Sequence, residues 1–139
     1  MKDLKERLEF NYSGVIKGLY ITLFIIAALA SLVGFSFGNP LFGMAGLLGS
    51  FVVMYLVWIY INLPYVYFED NRFYFYSTGG HKKLSEDIEE LTSMKDSDKT
   101  ILLQGKNTRY TIVKQYIGEN QSNELSILLR SIIDKNQEK

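Results

Sequence analysis

Residues 18–68 contain no Asp, Glu, Lys, Arg or His over 51 positions. A soluble domain needs charge on its surface far more often than that. A bilayer's hydrocarbon core is about 30 Å thick and takes roughly 20 apolar helical residues to cross. The run is punctuated once, at Gly38-Asn39-Pro40, leaving residues 19–37 before the break and 41–63 after it. At the helical rise these pieces are about 28 and 34 Å long. The pattern predicts a transmembrane helical hairpin, with helices over about 18–37 and 41–63 and a very short loop. A buried hairpin inside a soluble protein would need a shell that 139 residues cannot supply.

The remainder divides into an N-terminal segment, 1–17, and a C-terminal part, 65–139, with the hairpin over 18–64. Residues 69–139 carry 11 Lys+Arg against 12 Asp+Glu, and the whole chain is formally neutral. That balance gives no electrostatic footprint for nucleic acid. With no cysteine there is no disulfide framework, thiolate nucleophile or cysteine metal site. The charged lead and the second apolar run argue against a cleaved signal peptide. Lys2, Lys5, Arg7 and Lys17 precede the first span, and Arg72, Lys82 and Lys83 follow the second. The loop is uncharged, so the positive-inside rule places both termini in the cytoplasm of a multi-pass protein.

Small residues recur four apart within the spans: Ala30, Gly34 and Gly38 on the first, Ala45, Gly46, Gly49 and Ser50 on the second. Such spacing lets helix backbones approach closely in lipid. It serves packing of the two helices on each other, and a second small face would serve a homo-oligomer. Tyr20, Trp58, Tyr60 and Tyr65 form a candidate aromatic belt at the membrane interface.

Outside the spans the period changes to alternation. Leu4, Leu8 and Phe10 would suit a short helix, but residues 7–12 set Leu8, Phe10 and Tyr12 against Glu9 and Asn11, a candidate strand, with Ser13 placed to cap the first helix. After Pro64, alternating runs over 65–68, 72–76, 81–84, 88–94, 100–104 and 108–113 read as six strands. Ser85-Glu86-Asp87 reads as a bend. The clearest hairpin pairs Ile101 and Leu103 with Tyr110 and Ile112. Leu125, Leu128, Leu129, Ile132 and Ile133 form one apolar stripe of a helix over about 122–136, capped by Asn120 or Ser122. The stripe's nearest apolar surface is the inner face of the sheet; the alternative is a helix lying on the membrane surface, which would want more Lys or Arg beside the stripe than Arg130.

The fold class is therefore an α+β membrane protein. A two-helix hairpin is joined to a small antiparallel β-barrel or sandwich capped by a C-terminal helix. Seven strands and a helix is the element count of a pleckstrin-homology-like (PH-like) domain. The layout of short strand, membrane hairpin, further strands and final helix resembles the YcxB-like family of small bacterial membrane proteins. Within Lys83-Leu84-Ser85-Glu86-Asp87-Ile88 the chain has the family's Asp-Ile pair without its Pro and aromatic. At Val113-Lys114 it has the Lys of a Pro-Lys ending. The resemblance implies a bacterial cell-membrane location and, among similar proteins, immunity to membrane-active bacteriocins.

No catalytic constellation is legible, so no enzyme activity, metal or cofactor is expected. His81 lacks a second ligand at metal-binding spacing. The acidic run Glu86, Asp87, Glu89 and Glu90, with Asp96 and Asp98 beyond, lacks the tight pattern and internal glycine of a calcium loop. Gly79 and Gly80 with Lys82 and Lys83 offer a phosphate or lipid cradle, or a plain hairpin turn. The expected partners are the lipid bilayer and an unidentified protein or peptide. The expected role is a membrane-anchored binding module, either an immunity factor or a regulatory or assembly subunit of a larger membrane complex.

Overall fold

A computed structural model describes residues 7–76 and 83–138. The chain forms two compact units, Gly14–Leu63 and the combination of Met1–Ser13 with Pro64–Lys139.

The first unit is a pair of 23-residue helices, α1 (Gly14–Ser36) and α2 (Pro40–Asn62). Both are long and apolar enough to cross a membrane. α1 starts four residues before the expected position and takes Lys17 into its first turn. One long-stemmed cation near a helix end does not stop propagation, because its stem lies along the helix while its head reaches water. The turn is set by local chemistry. Gly38 adopts φ +69°, a conformation that favours glycine. Asn39 caps α2 by accepting from the Phe42 amide at 3.1 Å, and Pro40 occupies the first helical turn, where its missing N–H costs nothing. α2 ends at Leu63, extended at ψ 133°, as the residue before Pro64 must be.

Among the described residues the second unit has seven antiparallel strands in two sheets. Sheet A has the order β1 (Leu8–Phe10), β2 (Val66–Glu69), β3 (Arg72–Tyr76), β4 (Lys83–Asp87). Sheet B has the order β5 (Ser93–Asp96), β6 (Thr100–Gln104), β7 (Arg109–Val113). Among the described residues the sheets stay separate, so the strands form no closed barrel. β1 and β2 pair through Leu8↔Phe68, Glu9↔Tyr67 and Phe10↔Val66, although 55 residues lie between Phe10 and Val66. Asp70 and Asn71, both at positive φ, make the β2–β3 turn, the left-handed pair that matches the twist of two flanking strands.

Alternation sets the core. Phe10, Phe68, Phe73 and Phe75 of sheet A and Ile101, Leu103, Tyr110 and Ile112 of sheet B are buried. After a single turn, α3 (Lys114–Ile117), helix α4 (Glu119–Gln137) adds Leu125, Leu129, Ile132 and Ile133 to the buried set. The Asn136 side-chain amide donates to the carbonyls of Ile88 and Leu91 at 2.8 and 3.0 Å, which fixes the last turn of α4.

Three local expectations change. Residues 88–94 are not one strand; Ile88–Glu90 forms a 3-10 turn before β5. Such a turn brings positions three apart onto one side, so Ile88 and Leu91 are both buried while Glu89 is exposed. Residues 85–87 lie in β4 rather than a bend, because Glu86 finds a buried partner on the other sheet. Neither Asn120 nor Ser122 caps the last helix. The cap position is Gly118 at φ 82°, and the Ser122 hydroxyl instead donates to the Glu119 carbonyl at 2.8 Å.

The β1–β2 ladder generates a prediction. A chain in which residues 14–63 are replaced by a flexible linker should give a folded, soluble β unit. Residues 64–139 alone should expose the β2 edge and aggregate. A monomeric, protease-resistant 64–139 fragment would show that β1 contributes nothing to the fold.

Candidate functional site

The hairpin brings together only part of the predicted small-residue set. A Cβ placed on Gly34 would lie 2.5 Å from the Gly43 amide nitrogen, and one on Gly46 would lie 2.7 Å from the Ser31 nitrogen. The Ser31 hydroxyl donates to the Gly43 carbonyl at 2.9 Å. The close approach is therefore Ser31 and Gly34 against Gly43 and Gly46. Sequence spacing did not single out Gly43, because its partner lies across the turn and not four residues away. Gly38 serves the turn, a Cβ on Gly49 would meet nothing within 4 Å, and Ala45 is exposed. Ala30 is half-buried, and the Ser50 hydroxyl donates to Gly46 within its own helix.

Of the predicted aromatic belt, Tyr20 and Tyr60 stack with ring centroids 4.4 Å apart, and Trp58 is exposed on α2. Tyr65 does not join them. It is 1 % exposed, packs against Tyr12, Phe75 and Tyr116, and accepts from the Val113 amide at 3.1 Å. Its position at the end of the second span made it look like a boundary residue; its ring instead packs in the core of the β unit. Gly79, Gly80, His81 and Lys82 lie outside the described residues.

Three features of the β unit carry chemistry. The first joins the two sheets. Glu86 of β4 is 5 % exposed and accepts from the Tyr110 hydroxyl of β7 at 2.8 Å and from the Asn107 amide at 3.3 Å. Gly105 lies directly against the carboxylate, leaving no room for a Cβ. A buried carboxylate is tolerable only when hydrogen bonds replace its water. Burial, and then the bond to Glu86, push the Tyr110 hydroxyl up to about 12. Burial also pushes Tyr65 to about 12, against the smaller opposing effect of the Val113 amide.

The second is a groove between β5 and α4. Ser93, Met94 and Asp96 form one wall, and Arg130, Ile133 and Asp134 the other. It adjoins a hollow of about 610 Å³ that contains Ser126 and Ile127, and Ile127 is 71 % exposed. Burial favours a neutral Asp96, but the Lys114 ammonium at 2.6 Å and the Arg130 charge outweigh it and hold the carboxyl below its ordinary range. Among the described residues β5 ends sheet B, so one row of its backbone groups has no neighbouring strand.

The third is the outer face of sheet A. Tyr67 and Tyr74 stack at 4.5 Å with planes 10° apart, and Tyr76 lies 6.2 Å from Tyr67. The Lys83 ammonium sits 4.4 Å over the Tyr74 ring and 5.2 Å over Tyr67, while the Arg7 guanidinium covers Tyr67 at 4.6 Å. Among the described residues no cluster of three His, Cys, Asp or Glu side chains is placed to hold a metal ion.

No protein-family model, curated protein or solved structure matches the chain.

Two predictions follow from the Glu86 junction and its neighbours. Gly105→Ala should displace the Glu86 carboxylate from Tyr110 and lower stability by about 1–3 kcal/mol, the cost of a disrupted buried polar contact, read as a shift in the urea midpoint. A raised phenol pKa means that the fold favours the protonated form, so the stabilisation is complete below the unfolded value of about 10 and is lost as pH rises towards 12. Ultraviolet titration should therefore show Tyr65 and Tyr110 among the late tyrosines, ionising near pH 12 together with unfolding, and Tyr110→Phe should lower the late amplitude by one tyrosine.

Proposed function

We propose that the chain is a membrane-anchored, non-enzymatic binding module of the bacterial cell membrane, with a PH-like β unit on the cytoplasmic side. The observation that carries this reading is the insertion. Two uncharged-turn-linked helices of spanning length enter the chain between β1 and β2, which are hydrogen-bonded neighbours in one sheet. In hydrocarbon every backbone polar group must be satisfied internally, and helices of this length do so. A domain that encloses both ends of such a hairpin is held to the bilayer at two points.

Charge gives the orientation. The flanks carry Lys2, Lys5, Arg7 and Lys17 on one side and Arg72, Lys82 and Lys83 on the other, while the turn carries none; this favours cytoplasmic termini. The YcxB-like resemblance belongs to the same proposal, as does the role it suggests: self-protection against a membrane-active bacteriocin. The open edge of β5 beside α4 is where a partner segment would dock, since an extended peptide added to a sheet edge uses main-chain bonds for affinity and neighbouring pockets for selectivity. That groove also suits a regulatory or assembly subunit of a larger membrane complex.

A cysteine at Asn39 should react with an impermeant thiol reagent on intact cells, and one at Lys139 should react only after lysis. Labelling at Lys139 in unlysed cells would overturn the topology. Expression of the chain alone in sensitive cells should raise survival under bacteriocin challenge. Protection that needs a companion subunit would favour the assembly role.

A further inference from the structure

The register of sheet A places one end of it next to the hairpin in the chain. Phe10 at the end of β1 pairs with Val66 at the start of β2, Val66 with Phe75 near the end of β3, and Phe75 with Leu84 near the start of β4. One row further on, Tyr76 pairs with Lys83. From this end the chain leaves for Gly14 and returns from Asn62, with three residues between each strand and its helix. Four Cα steps reach at most about 14 Å. The polar headgroup layer adds about 5–7 Å on each side of the hydrocarbon core. Two such tethers allow that sheet end to reach the headgroup layer.

The chemistry at that end fits the position. Tyrosine is enriched at membrane–water interfaces, where an apolar ring and a polar tip are both accommodated. Three tyrosines lie on this face, and the stacked pair Tyr67–Tyr74 supports the Lys83 ammonium from beneath. Two other described cations of the face are paired: Arg7 with Glu9 at 2.6 Å and Arg72 with Asp87 at 3.0 Å. Among the described residues no carboxylate is paired with Lys83. Its pKa is raised, first through the hydrogen bond with the Tyr67 hydroxyl, so it stays charged through the neutral range. Tyr74 and Tyr76 are half-buried, and a phenol hydroxyl can donate to an anion.

We infer that Lys83, held over Tyr67 and Tyr74 beside Tyr76, binds the phosphate of an anionic phospholipid in the bilayer that the hairpin spans. This rests on the membrane reading above and gives the β unit a second, non-covalent attachment. It would fix the tilt of sheet A against the surface and so decide how the β5–α4 groove is presented. The ammonium supplies the charge, the aromatic platform limits its freedom, and the phenol hydroxyls supply directed donors.

The test uses the full chain in nanodiscs of phosphatidylcholine alone and with added phosphatidylglycerol. Insertion is scored separately by resistance to carbonate extraction from vesicles. Lysine acylation is then mapped by mass spectrometry, with Lys95 on sheet B as the internal reference. The acylated fraction of Lys83 should fall about fivefold in the phosphatidylglycerol discs, the effect expected of one lysine at an anionic surface, while Lys95 is unchanged. Tyr74→Phe with Tyr76→Phe should reduce that protection without loss of insertion. Equal Lys83 labelling in the two discs with the protein still inserted would overturn this inference and leave the membrane reading standing. Extraction by carbonate would overturn both. Equal protection by inorganic phosphate in detergent would overturn the assignment to lipid.

Discussion

The β1–β2 ladder is the contact on which the rest of the second unit depends. Three residue pairs, with the Tyr65 amide donating to the Phe10 carbonyl at 2.9 Å, hold together two strands separated by the whole hairpin. Closing a loop of that length would be entropically costly for a disordered chain. The hairpin reduces the cost, because its own helices pair at Gly34 with Gly43 and Ser31 with Gly46 and bring residues 13 and 64 back to one side. The helices return the chain, and the ladder uses the return.

The buried polar groups then specify how the two sheets meet. Phe68, Phe73 and Tyr110 would pack in several arrangements as apolar bodies. Glu86 accepts only one, since its carboxylate needs the Tyr110 hydroxyl and the Asn107 amide at the same time. Leaving such a group unpaired costs far more than the paired contact gains. The absence of a Cβ on Gly105 is part of the same device. Asn136, bridging two carbonyls before β5, plays the corresponding role for α4. Among the described residues these contacts leave β5 at an edge of sheet B beside a groove, and the half-buried Tyr74 and Tyr76 on the outer face of sheet A.

Much of this was legible in the residues. An uncharged run broken once at Gly-Asn-Pro has few other solutions than a helical hairpin, because neither charge nor a second breaker interrupts it. Ile101, Leu103, Tyr110 and Ile112 announce β6 and β7 by strict alternation, and Leu125, Leu129, Ile132 and Ile133 announce α4 by period; all are buried. These signals are local: each is a repeat of side-chain polarity that one element must satisfy by itself.

Tertiary structure alone decided the rest, and for one reason. Glu86, Tyr65 and Gly43 are read correctly only with their partners, and those partners lie elsewhere in the chain, at Tyr110, Val113 and Ser31. A carboxylate in a strand reads as a turn until a phenol from the other sheet is seen to meet it. A tyrosine after a long apolar helix reads as an anchor until Tyr12, Phe75 and Tyr116 are found packed against it. Lys83 reads as half of a basic pair beside a glycine turn until stacked rings from two other strands are found beneath it. Polarity patterns along the sequence determined which elements form; the pairing of polar groups across them, which no local pattern encodes, decided what those elements present.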